Sequence, residues 1–343
     1  PQIKECSKLC KYLKYVIINP SCRIQKDSFI DQNSIGLKCY MFKEIVNYGE
    51  SCMIISLPTL DSIALIIYNK SNIGIKISHK NIMVSISGIQ ERVMLTKKDI
   101  YLSYFPITDI TQLLMEYVCI SIGAKIGFGS IETLLDNSKC VMKHSKGDAL
   151  KLNPTIIPYS TIELNKLKDS ILHDIDILPG HAKKVYYNLY KKKERFLSSN
   201  GTLEKYNAPN VIKKYLGTNL KTIILNNGVI VNEIEKMFNI WFDCLILQGF
   251  SLTETCGYSC ISSVDHTEHD SVGAPLIHNY IKLINNEICI GGHNISCAYY
   301  KNEVETLSKY FIMNNILWFK TGKIGVIHKN GTIEIKNNKK INI

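Results

Sequence analysis

The sequence predicts an α/β fold that carries a mixed or parallel sheet and continues into a small β-barrel-like segment. Two apolar runs, Lys221–Leu225 and Asp243–Leu247, lie on either side of a predicted helix at Asn232–Trp241. A strand–helix–strand unit of this kind places its two strands in parallel. After residue 276, short strand-like pieces alternate with glycine turns, and Asn330-Gly331 is a strong hairpin signal.

The same periodicity arguments predict the earlier elements in order. Strands are predicted at Tyr15–Ile18, Leu60–Tyr68, Tyr101–Phe105 and Thr155–Ile157, helices at Phe42–Tyr48, Ile82–Ile89 and Ile110–Gly123, and mostly helical structure over Leu164–Tyr215. Ser78 or Asn81 is expected near the N-cap of the helix over Ile82–Ile89. We therefore predict an α/β core over residues 1–276 and a β-rich barrel segment over residues 277–343.

The chain is basic, with a formal net charge of +11 over 343 residues. Its densest cationic run, Lys191–Arg195, fits either a solvated lysine-rich surface or contact with an anionic membrane face. Nucleic-acid binding is not expected, because no helix-turn-helix, zinc-finger or RNP-like aromatic motif is present. No charge-free apolar run reaches about 18 residues, so a transmembrane helix is not predicted.

The twelve cysteines include no Cys-x-x-Cys pair and have no histidine cluster nearby, so a zinc site is not expected. Cys119, Cys244 and Cys289 lie in apolar runs and are predicted to be small core residues. Reduced thiols favour a cytoplasmic protein, at most peripheral on the cytosolic face of a membrane such as the endoplasmic reticulum. The chain begins Pro1-Gln2, which is not an ordinary start, and we expect an excerpt of a longer protein.

The segment Gln248–Gly257, with the sequence Q-G-F-S-L-T-E-T-C-G, directly follows the second apolar run. Glycine lets the backbone approach a ligand closely, a threonine hydroxyl suits a phosphate, and a glutamate carboxylate suits a hard cation such as Mg²⁺. A polar loop at the end of a strand is where open α/β sheets bind ligands. The alternative interpretation is structural, with Thr253 as a helix N-cap and Glu254 in the first turn.

This segment resembles the Y-G-x-T-E-T signature of the adenylate-forming enzymes, in the form Q-G-Y-G-L-T-E-T-C-G of the long-chain acyl-CoA synthetases, also called long-chain fatty acid–CoA ligases. Further segments resemble that family in the same order along the chain: Tyr101–Gln112, Gly123–Phe128, Lys151–Pro158, Ser271–Leu283, Glu287–Lys301, Trp318–Gly325 and Gly331–Lys340. The resemblance covers roughly residues 55–343. It implies a partial member without the opening of the large N-terminal domain and without the mobile C-terminal domain.

The resemblance implies ATP-dependent activation of a fatty acid through an acyl-adenylate to acyl-CoA, with ATP, Mg²⁺ and CoA as cofactors. It implies catalytic roles for Thr253, which would contact phosphate, and for Glu254, which would also hold the metal ion. Phe250 would replace a tyrosine that stacks on adenine, and Asn226-Asn227-Gly228 would stand at the adenine loop. The nucleotide-binding positions that it implies are Gly228, Gln248, Gly249, Phe250, Ser251, Thr253 and Lys323.

Several matching positions depart from the family pattern. A glycine- and threonine-rich phosphate loop is replaced by the shorter stretch Tyr68–Gly74, where Ile73 stands at the lysine position and Lys70 is the candidate substitute. The other departures are Lys323 for an aspartate that accepts the ribose hydroxyls, Asp109 for a histidine near the acyl site, and Asn337-Asn338-Lys339 for an Asp-Arg-Lys hinge.

Three functional hypotheses follow. The first is a long-chain fatty acid–CoA ligase-like protein. The second is a non-catalytic pseudoenzyme scaffold that binds an acyl chain, a nucleotide or a protein partner. The third is a basic protein at a membrane surface without adenylate chemistry. From the departures alone, we expect the isolated chain to be inactive or very weak.

Overall fold

The computed structural model of the chain describes residues 10, 12–18, 37–49, 56–69, 71–198, 209–226, 228–263 and 271–336. The chain divides into two compact units, Pro1–Pro58 and Thr59–Ile343. The first unit contains a parallel pair of strands, β1 (Tyr15–Ile18) and β2 (Lys38–Met41), followed by helix α1 (Phe42–Gly49), which confirms the strand and helix predicted there. The domain boundary predicted at residue 276 lies inside the second unit and stays a prediction.

The second unit contains all other described elements. In chain order its helices are α2 (His79–Val93), α3 (Ile110–Ile122), α4 (Asp148–Leu152), α5 (Thr161–Asp176), α6 (Gly180–Ser198), α7 (Asn210–Leu216), α8 (Asn232–Phe242) and α9 (Glu303–Lys309). Its strands are β3 (Ile63–Tyr68), β4 (Gly74–Ser78), β5 (Ile100–Ser103), β6 (Lys125–Phe128), β7 (Ile156–Tyr159), β8 (Thr222–Leu225), β9 (Leu245–Leu247), β10 (Gly249–Leu252), β11 (Gly257–Ile261), β12 (Ala274–Pro275), β13 (Asn279–Ile284), β14 (Glu287–Gly292), β15 (Ala298–Tyr299), β16 (Tyr310–Met313), β17 (Ile316–Ile327) and β18 (Ile333–Lys336). None of the described helices is long and apolar enough to cross a membrane.

Five short strands form a parallel sheet in the order β6-β5-β7-β8-β9. The predicted strand–helix–strand unit is its β8-α8-β9 edge, and the predicted parallel pairing is confirmed. Because side chains alternate along a strand, β7 and β8 contribute Ile156 and Ile224 to one apolar cluster and Ile157 and Ile223 to another. The sheet is therefore buried on both faces, which explains why its strands are continuous apolar runs.

One face of the sheet packs against α3, which in turn packs against α2, and both helices begin at a polar cap. Ser78 caps α2 and forms a reciprocal capping box with Asn81, which confirms the predicted N-cap. Asp109 caps α3 by accepting hydrogen bonds from two backbone N–H groups of its first turn, and Gly123 ends the helix in the left-handed conformation.

The other face is covered by helices from the set α5 to α8. Because α5, α6 and α7 fall within or overlap Leu164–Tyr215, the helical stretch predicted there is confirmed within the described residues. The apolar cluster there includes Ile171 of α5, Ile212 of α7 and Trp241 of α8.

The nine described cysteines are free thiols, and the three predicted to be core residues, Cys119, Cys244 and Cys289, are buried.

The β-rich part after residue 276 is mostly one antiparallel sheet. Its strands follow the order β13-β14-β17-β16, with β18 paired to the far end of β17 across the predicted Asn330-Gly331 hairpin. Strand β15 instead pairs with β4 in a small sheet of order β15-β4-β3. The β-rich character is confirmed, but the strands of residues 277–336 form an open order and not a closed barrel.

Candidate functional site

The segment singled out in the sequence forms a hairpin between β10 and β11, directly after the parallel strand β9. Its turn is Thr253–Cys256, where the N–H of Cys256 donates to the carbonyl oxygen of Thr253 at 3.0 Å. No helix begins at Thr253, so the N-cap interpretation is wrong. Thr253 and Glu254 are both partly exposed at this turn, where their side chains are available to a ligand.

The backbone of the turn is held by the segment between β14 and β15. The N–H of Ser296 donates to the carbonyl oxygen of Glu254 at 2.8 Å. The Nδ2 of Asn294 donates to the carbonyl oxygen of Thr255 at 2.9 Å. Both acceptors are backbone groups, so these distant donors hold the turn in addition to its own Thr255 hydroxyl, which bonds the carbonyl oxygens of Leu252 and Gly257.

Helix α2 connects the same two segments. The hydroxyl of Ser85 donates to the carbonyl oxygen of Cys256 at 2.7 Å. The Nδ2 of Asn81 donates to the carbonyl oxygens of His293 at 2.8 Å and Ile295 at 2.9 Å. Asn81 and Ser85 are four residues apart and therefore lie on one face of the helix. A single helical face thus fixes the turn and its neighbouring segment relative to each other.

The carboxylate of Glu254 is oriented by a tyrosine. The hydroxyl of Tyr299, on β15, donates to Oε1 of Glu254 at 3.2 Å. Burial, together with the charge of Glu254, raises the pKa of Tyr299 above its ordinary value. The phenol therefore stays protonated at neutral pH and remains a donor to the carboxylate. The ring of Tyr299 packs edge-on against Tyr310, with 5.4 Å between centroids.

Thr253 borders a cleft of about 360 Å³. The cleft lies between the end of β10, the turn of the β3–β4 hairpin and the N-terminal end of α3. Its lining is Ile67, Tyr68, Asn69, Pro106, Thr108, Asp109, Ile110, Thr111, Ser251, Leu252 and Thr253. The structure therefore brings the replaced phosphate loop, the Asp109 position and the Ser251–Thr253 segment together. The volume lies near the lower end of the range for small-molecule sites.

The turn of the β3–β4 hairpin stands where the family has its phosphate loop. The Oδ1 of Asn69 accepts hydrogen bonds from the N–H groups of Ser71 and Ile73, both at 3.0 Å. A phosphate nest works by pointing free backbone N–H groups at the anion. Here two of those groups are already bonded within the turn, so the hairpin is not built as a nest. Lys70 lies outside the described residues.

Asp109 brings a carboxylate to the cleft at the family's histidine position. Its Oδ1 accepts from the N–H groups of Thr111 at 2.9 Å and Gln112 at 3.2 Å. No lysine or arginine belongs to the cleft lining within the described part of the chain. Because a carboxylate and a phosphate repel each other, the cleft favours a polyphosphate only when a cation accompanies it.

Gly228, Gln248 and Gly249 form a second group of predicted site residues. Gly228 and Gly249 make an isolated antiparallel bridge, and Oε1 of Gln248 accepts from the N–H of Ile230 at 3.0 Å. Gly228 has φ of 122°, and a Cβ there would lie 2.6 Å from Cγ2 of Thr161, so the position requires glycine. These residues position the loop after β8 against β10, and none of the three lines the cleft described above.

Phe250 and Asn226 lie close in sequence to this second group but are buried. The ring of Phe250 is 5% exposed within the apolar core, so its predicted stacking on adenine requires the ring to be uncovered and stays a prediction. The Oδ1 of Asn226 accepts from the hydroxyl of Tyr258. The Nδ2 of Asn226 is buried and has no partner among the described residues. Asn227 lies outside them.

Lys323 is exposed on β17. The preceding residue, Gly322, donates its N–H to Oε1 of Glu287 at 2.7 Å. Among the described residues, Lys323 is not part of the lining of the cleft near Thr253. Its predicted role in binding a nucleotide stays a prediction. The predicted hinge positions 337–339 lie outside the described residues.

The sequence analysis missed the residues that position the turn. Asn81 was recognised only as an N-cap, and no role was assigned to Ser85, Asn294, Ser296 or Tyr299. Five of the contacts involved are made to backbone carbonyl oxygens, and three of those five join residues that are more than 150 positions apart. The one signal in the sequence was that Asn294, Ser296 and Tyr299 fall inside a segment, Glu287–Lys301, which resembles the family.

Residues 74–300 of the chain match the AMP-binding enzyme family. The chain is 28% identical over 343 residues to long chain acyl-CoA synthetase 8 of Arabidopsis thaliana, a match that covers 90% of this chain and 47% of the relative. It is 27% identical over 325 residues to long-chain-fatty-acid–CoA ligase 3 of Saccharomyces cerevisiae, covering 89% of this chain and 46% of the relative. The chain thus spans about half the length of the curated relatives it matches.

Solved structures share the fold at lower identity. Unliganded O-succinylbenzoate coenzyme A synthetase (MenE) of Bacillus subtilis superimposes with a TM-score of 0.62 at 15% identity, covering 94% of this chain and 58% of that chain. VinN superimposes with a TM-score of 0.64 at 14% identity, covering 94% of this chain and 74% of that chain. These matches confirm the predicted fold class.

Proposed function

Because the chain belongs to the AMP-binding enzyme family, we propose that it is part of a long-chain fatty acid–CoA ligase-like protein. Its relatives are named long-chain acyl-CoA synthetase and long-chain-fatty-acid–CoA ligase. The proposed activity is ATP-dependent activation of a fatty acid through an acyl-adenylate to acyl-CoA. The observation that carries the proposal is the Thr253–Cys256 turn, which α2 and Tyr299 position beside a cleft.

The residues at the turn fit Mg²⁺ and the adjoining phosphate. Glu254 offers an oriented carboxylate, and Ser251 and Thr253 border the cleft. No group of three or more His, Cys, Asp or Glu side chains in the described part of the chain is placed to hold a metal ion. A Mg²⁺ ion at Glu254 would therefore take its other ligands from phosphate oxygens and water, as Mg²⁺ commonly does. When bound, ATP supplies the adenylate to which the carboxylate of the substrate is joined.

The opposite wall of the cleft does not fit the rest of the triphosphate. Asn69 already occupies two N–H groups of the hairpin turn, and Asp109 adds negative charge. We therefore propose weak, Mg²⁺-dependent nucleotide binding by this chain. The fatty acid and CoA enter the proposal from the relatives' names, and their binding residues are left unassigned.

A second candidate function is a non-catalytic scaffold that binds an acyl chain, a nucleotide or a protein partner. The turn bonded by Asn69 favours it. Two backbone N–H groups that already donate to Oδ1 of Asn69 stabilise the hairpin and are not free to bind a phosphate. The two candidates differ in one property that is open to measurement, namely whether ATP binding requires both Mg²⁺ and the carboxylate of Glu254.

The test is ligand-observed NMR of ATP with the purified chain, with Mg²⁺ and then with excess EDTA. Wild type is expected to bind ATP weakly and only with Mg²⁺, and Glu254→Gln is expected to bind at least about tenfold more weakly because the metal loses its carboxylate. Glu91→Gln, which removes an exposed carboxylate of α2, is the matched control and should bind like wild type.

The same samples separate the two candidates. Pyrophosphate release with ATP, Mg²⁺ and palmitate is expected to stay near background for the isolated chain. Mg²⁺-dependent binding lost only in Glu254→Gln supports the ligase-like proposal. Binding that ignores both EDTA and Glu254 contradicts the metal role, and no binding at all favours the scaffold.

Tyr299 provides a second prediction at the same site. Tyr299→Phe removes the hydroxyl that orients the Glu254 carboxylate, and we expect Mg²⁺-dependent ATP binding to weaken roughly tenfold. This factor corresponds to the lower end of the free energies measured for hydrogen bonds to charged groups. The neighbouring Tyr300→Phe, whose side chain is 38% exposed, should leave binding unchanged. Equal effects of the two variants, measured by the same NMR titration, would show that Tyr299 has no positioning role.

A further inference from the structure

Helix α6, which extends over 19 residues, is the most basic element of the described structure. Lys184, Lys191, Lys192 and Arg195 are exposed on its outer face. At about 100° per residue these four side chains fall within an arc of about 100°, a set that we call the α6 stripe. Glu194 is the one acidic residue of the helix and lies outside this arc.

The opposite face of α6 is fixed to the protein. The hydroxyl of Tyr186 accepts a hydrogen bond from Nε1 of Trp241 in α8 at 2.9 Å. Two turns further on, Lys193 is 3% exposed and pairs with Asp243 at the end of α8. One of these contacts is in the first half of the helix and the other is in the second half. Helix α6 therefore lies along the protein surface, and its outer face is presented as a flat strip.

Apolar side chains flank the α6 stripe on both sides. Val185, which is 57% exposed, lies on the same side of the helix as Lys192, and Tyr187, which is 45% exposed, lies one turn before Lys191. Exposed cations with neighbouring aliphatic and aromatic groups are the composition of helices that lie at a membrane interface. Lysine and arginine stems cover apolar surface while their charges contact lipid headgroups.

We propose that the α6 stripe binds the surface of an anionic phospholipid bilayer. Charge complementarity carries the proposal, because four cations act together within one Debye length of a negatively charged plane. A flat strip suits a bilayer better than duplex nucleic acid, since reading a major groove needs a helix that projects into it. The proposal concerns attachment to a surface and is independent of the adenylate chemistry proposed above.

The test is sedimentation of the purified chain with phosphatidylcholine vesicles and with vesicles that contain about 30 mol% phosphatidylserine. The stripe variant is Lys184→Gln/Lys191→Gln/Lys192→Gln/Arg195→Gln. The control variant, Lys98→Gln/Lys125→Gln/Lys143→Gln/Lys329→Gln, removes the same charge from exposed positions on other elements. Glutamine is a good helix former, and circular dichroism checks that both variants fold. If the fourfold stripe variant is unstable, Lys184→Gln/Lys191→Gln replaces it.

Wild type is expected to bind the anionic vesicles and not the neutral ones, with affinity that falls as salt rises. The stripe variant should bind on the order of 500-fold more weakly, because each of the four cations near an anionic surface contributes about fivefold and the factors multiply. The control should stay within about threefold of wild type. An equal loss in the control, no binding by wild type, or tighter binding of the wild-type stripe to a duplex of about 20 base pairs would each overturn the proposal.

Discussion

Replacement of Gly273 by alanine is expected to lower the free energy of unfolding by more than about 3 kcal/mol, measured by urea denaturation. A Cβ at this position would lie 2.3 Å from the backbone nitrogen of Ser262 and 2.4 Å from the carbonyl carbon and oxygen of Ile261. These are backbone atoms of a strand end, and they have no rotamer by which to move aside. The positive φ of 83° adds about 1 kcal/mol of its own for a residue with a side chain.

Gly331→Ala is the matched control, because Gly331 also has φ of 83° but no atom within 4 Å of the added Cβ. Gly331→Ala should lower the free energy of unfolding by about 1 kcal/mol, which is the cost of the positive φ alone, without any steric clash. Similar losses for the two variants would mean that the backbone around Gly273 relaxes and that close packing there is unimportant. A shift of the backbone at Gly273 would also disturb a contact between strands. The carbonyl oxygen of Gly273, directly before β12, accepts a hydrogen bond from the N–H of Ile333 in β18 at 3.0 Å.

Asn81→Ala is expected to lower the free energy of unfolding by about 3 kcal/mol. The side chain is 5% exposed and makes three hydrogen bonds: its Oδ1 accepts from the N–H of Ser78 at 2.9 Å, and its Nδ2 donates to the carbonyl oxygens of His293 and Ile295. Truncation leaves these three backbone groups, of which the carbonyl of His293 is only partly buried, without their partner, and each such loss costs on the order of 1 kcal/mol.

Asn165→Ala is the control for this substitution. The Nδ2 of Asn165 bonds only locally, to the carbonyl oxygen of Thr161 in the same helix at 2.9 Å, so its removal should change stability by less than about 0.5 kcal/mol. Asn81→Asp separates the two roles, because it keeps an acceptor for Ser78 but turns a carboxylate toward two carbonyl oxygens. If Asn81→Asp were as stable as wild type, the long-range donor role of Asn81 would be wrong.

The loss at Asn81 should also reach the candidate site. Asn81 fixes the segment that carries Ser296, and the N–H of Ser296 bonds the carbonyl oxygen of Glu254. We therefore expect Asn81→Ala to weaken Mg²⁺-dependent ATP binding even under conditions where the protein remains folded. The effect is on the orientation of Glu254, since Asn81 itself does not line the cleft.

Much of the fold was predictable because its signals are local. The helix of Asn232–Phe242 and its flanking strands follow from apolar spacing over short windows, and the cap of α2 follows from Ser78 and Asn81 three positions apart. The predicted barrel was less accurate. Short strands and glycine turns establish β structure, but closure of a sheet depends on register between distant strands, which no local pattern encodes.

The candidate site was predictable only in part. The order of motifs identified Thr253 and Glu254, and the family assignment that rested on that order is confirmed. It also identified Gln248 and Phe250, but the structure buries both side chains, with Gln248 bonded to Ile230 and Phe250 in the core. A motif states which residue types recur and in which order, whereas burial depends on what the rest of the chain packs over them.

The amino-acid sequence alone determined that this chain is an α/β protein, that it is basic, and that its turn residues Thr253 and Glu254 follow a buried parallel strand. Tertiary structure decided that Asn81, Ser85 and Tyr299 position that turn, that Asn69 occupies the N–H groups of the hairpin opposite, and that the cations of α6 share one outer face. The reason is physical. Periodicity and capping act within a few residues and are written along the chain, while hydrogen bonds between residues about 200 positions apart exist only once the layers have packed.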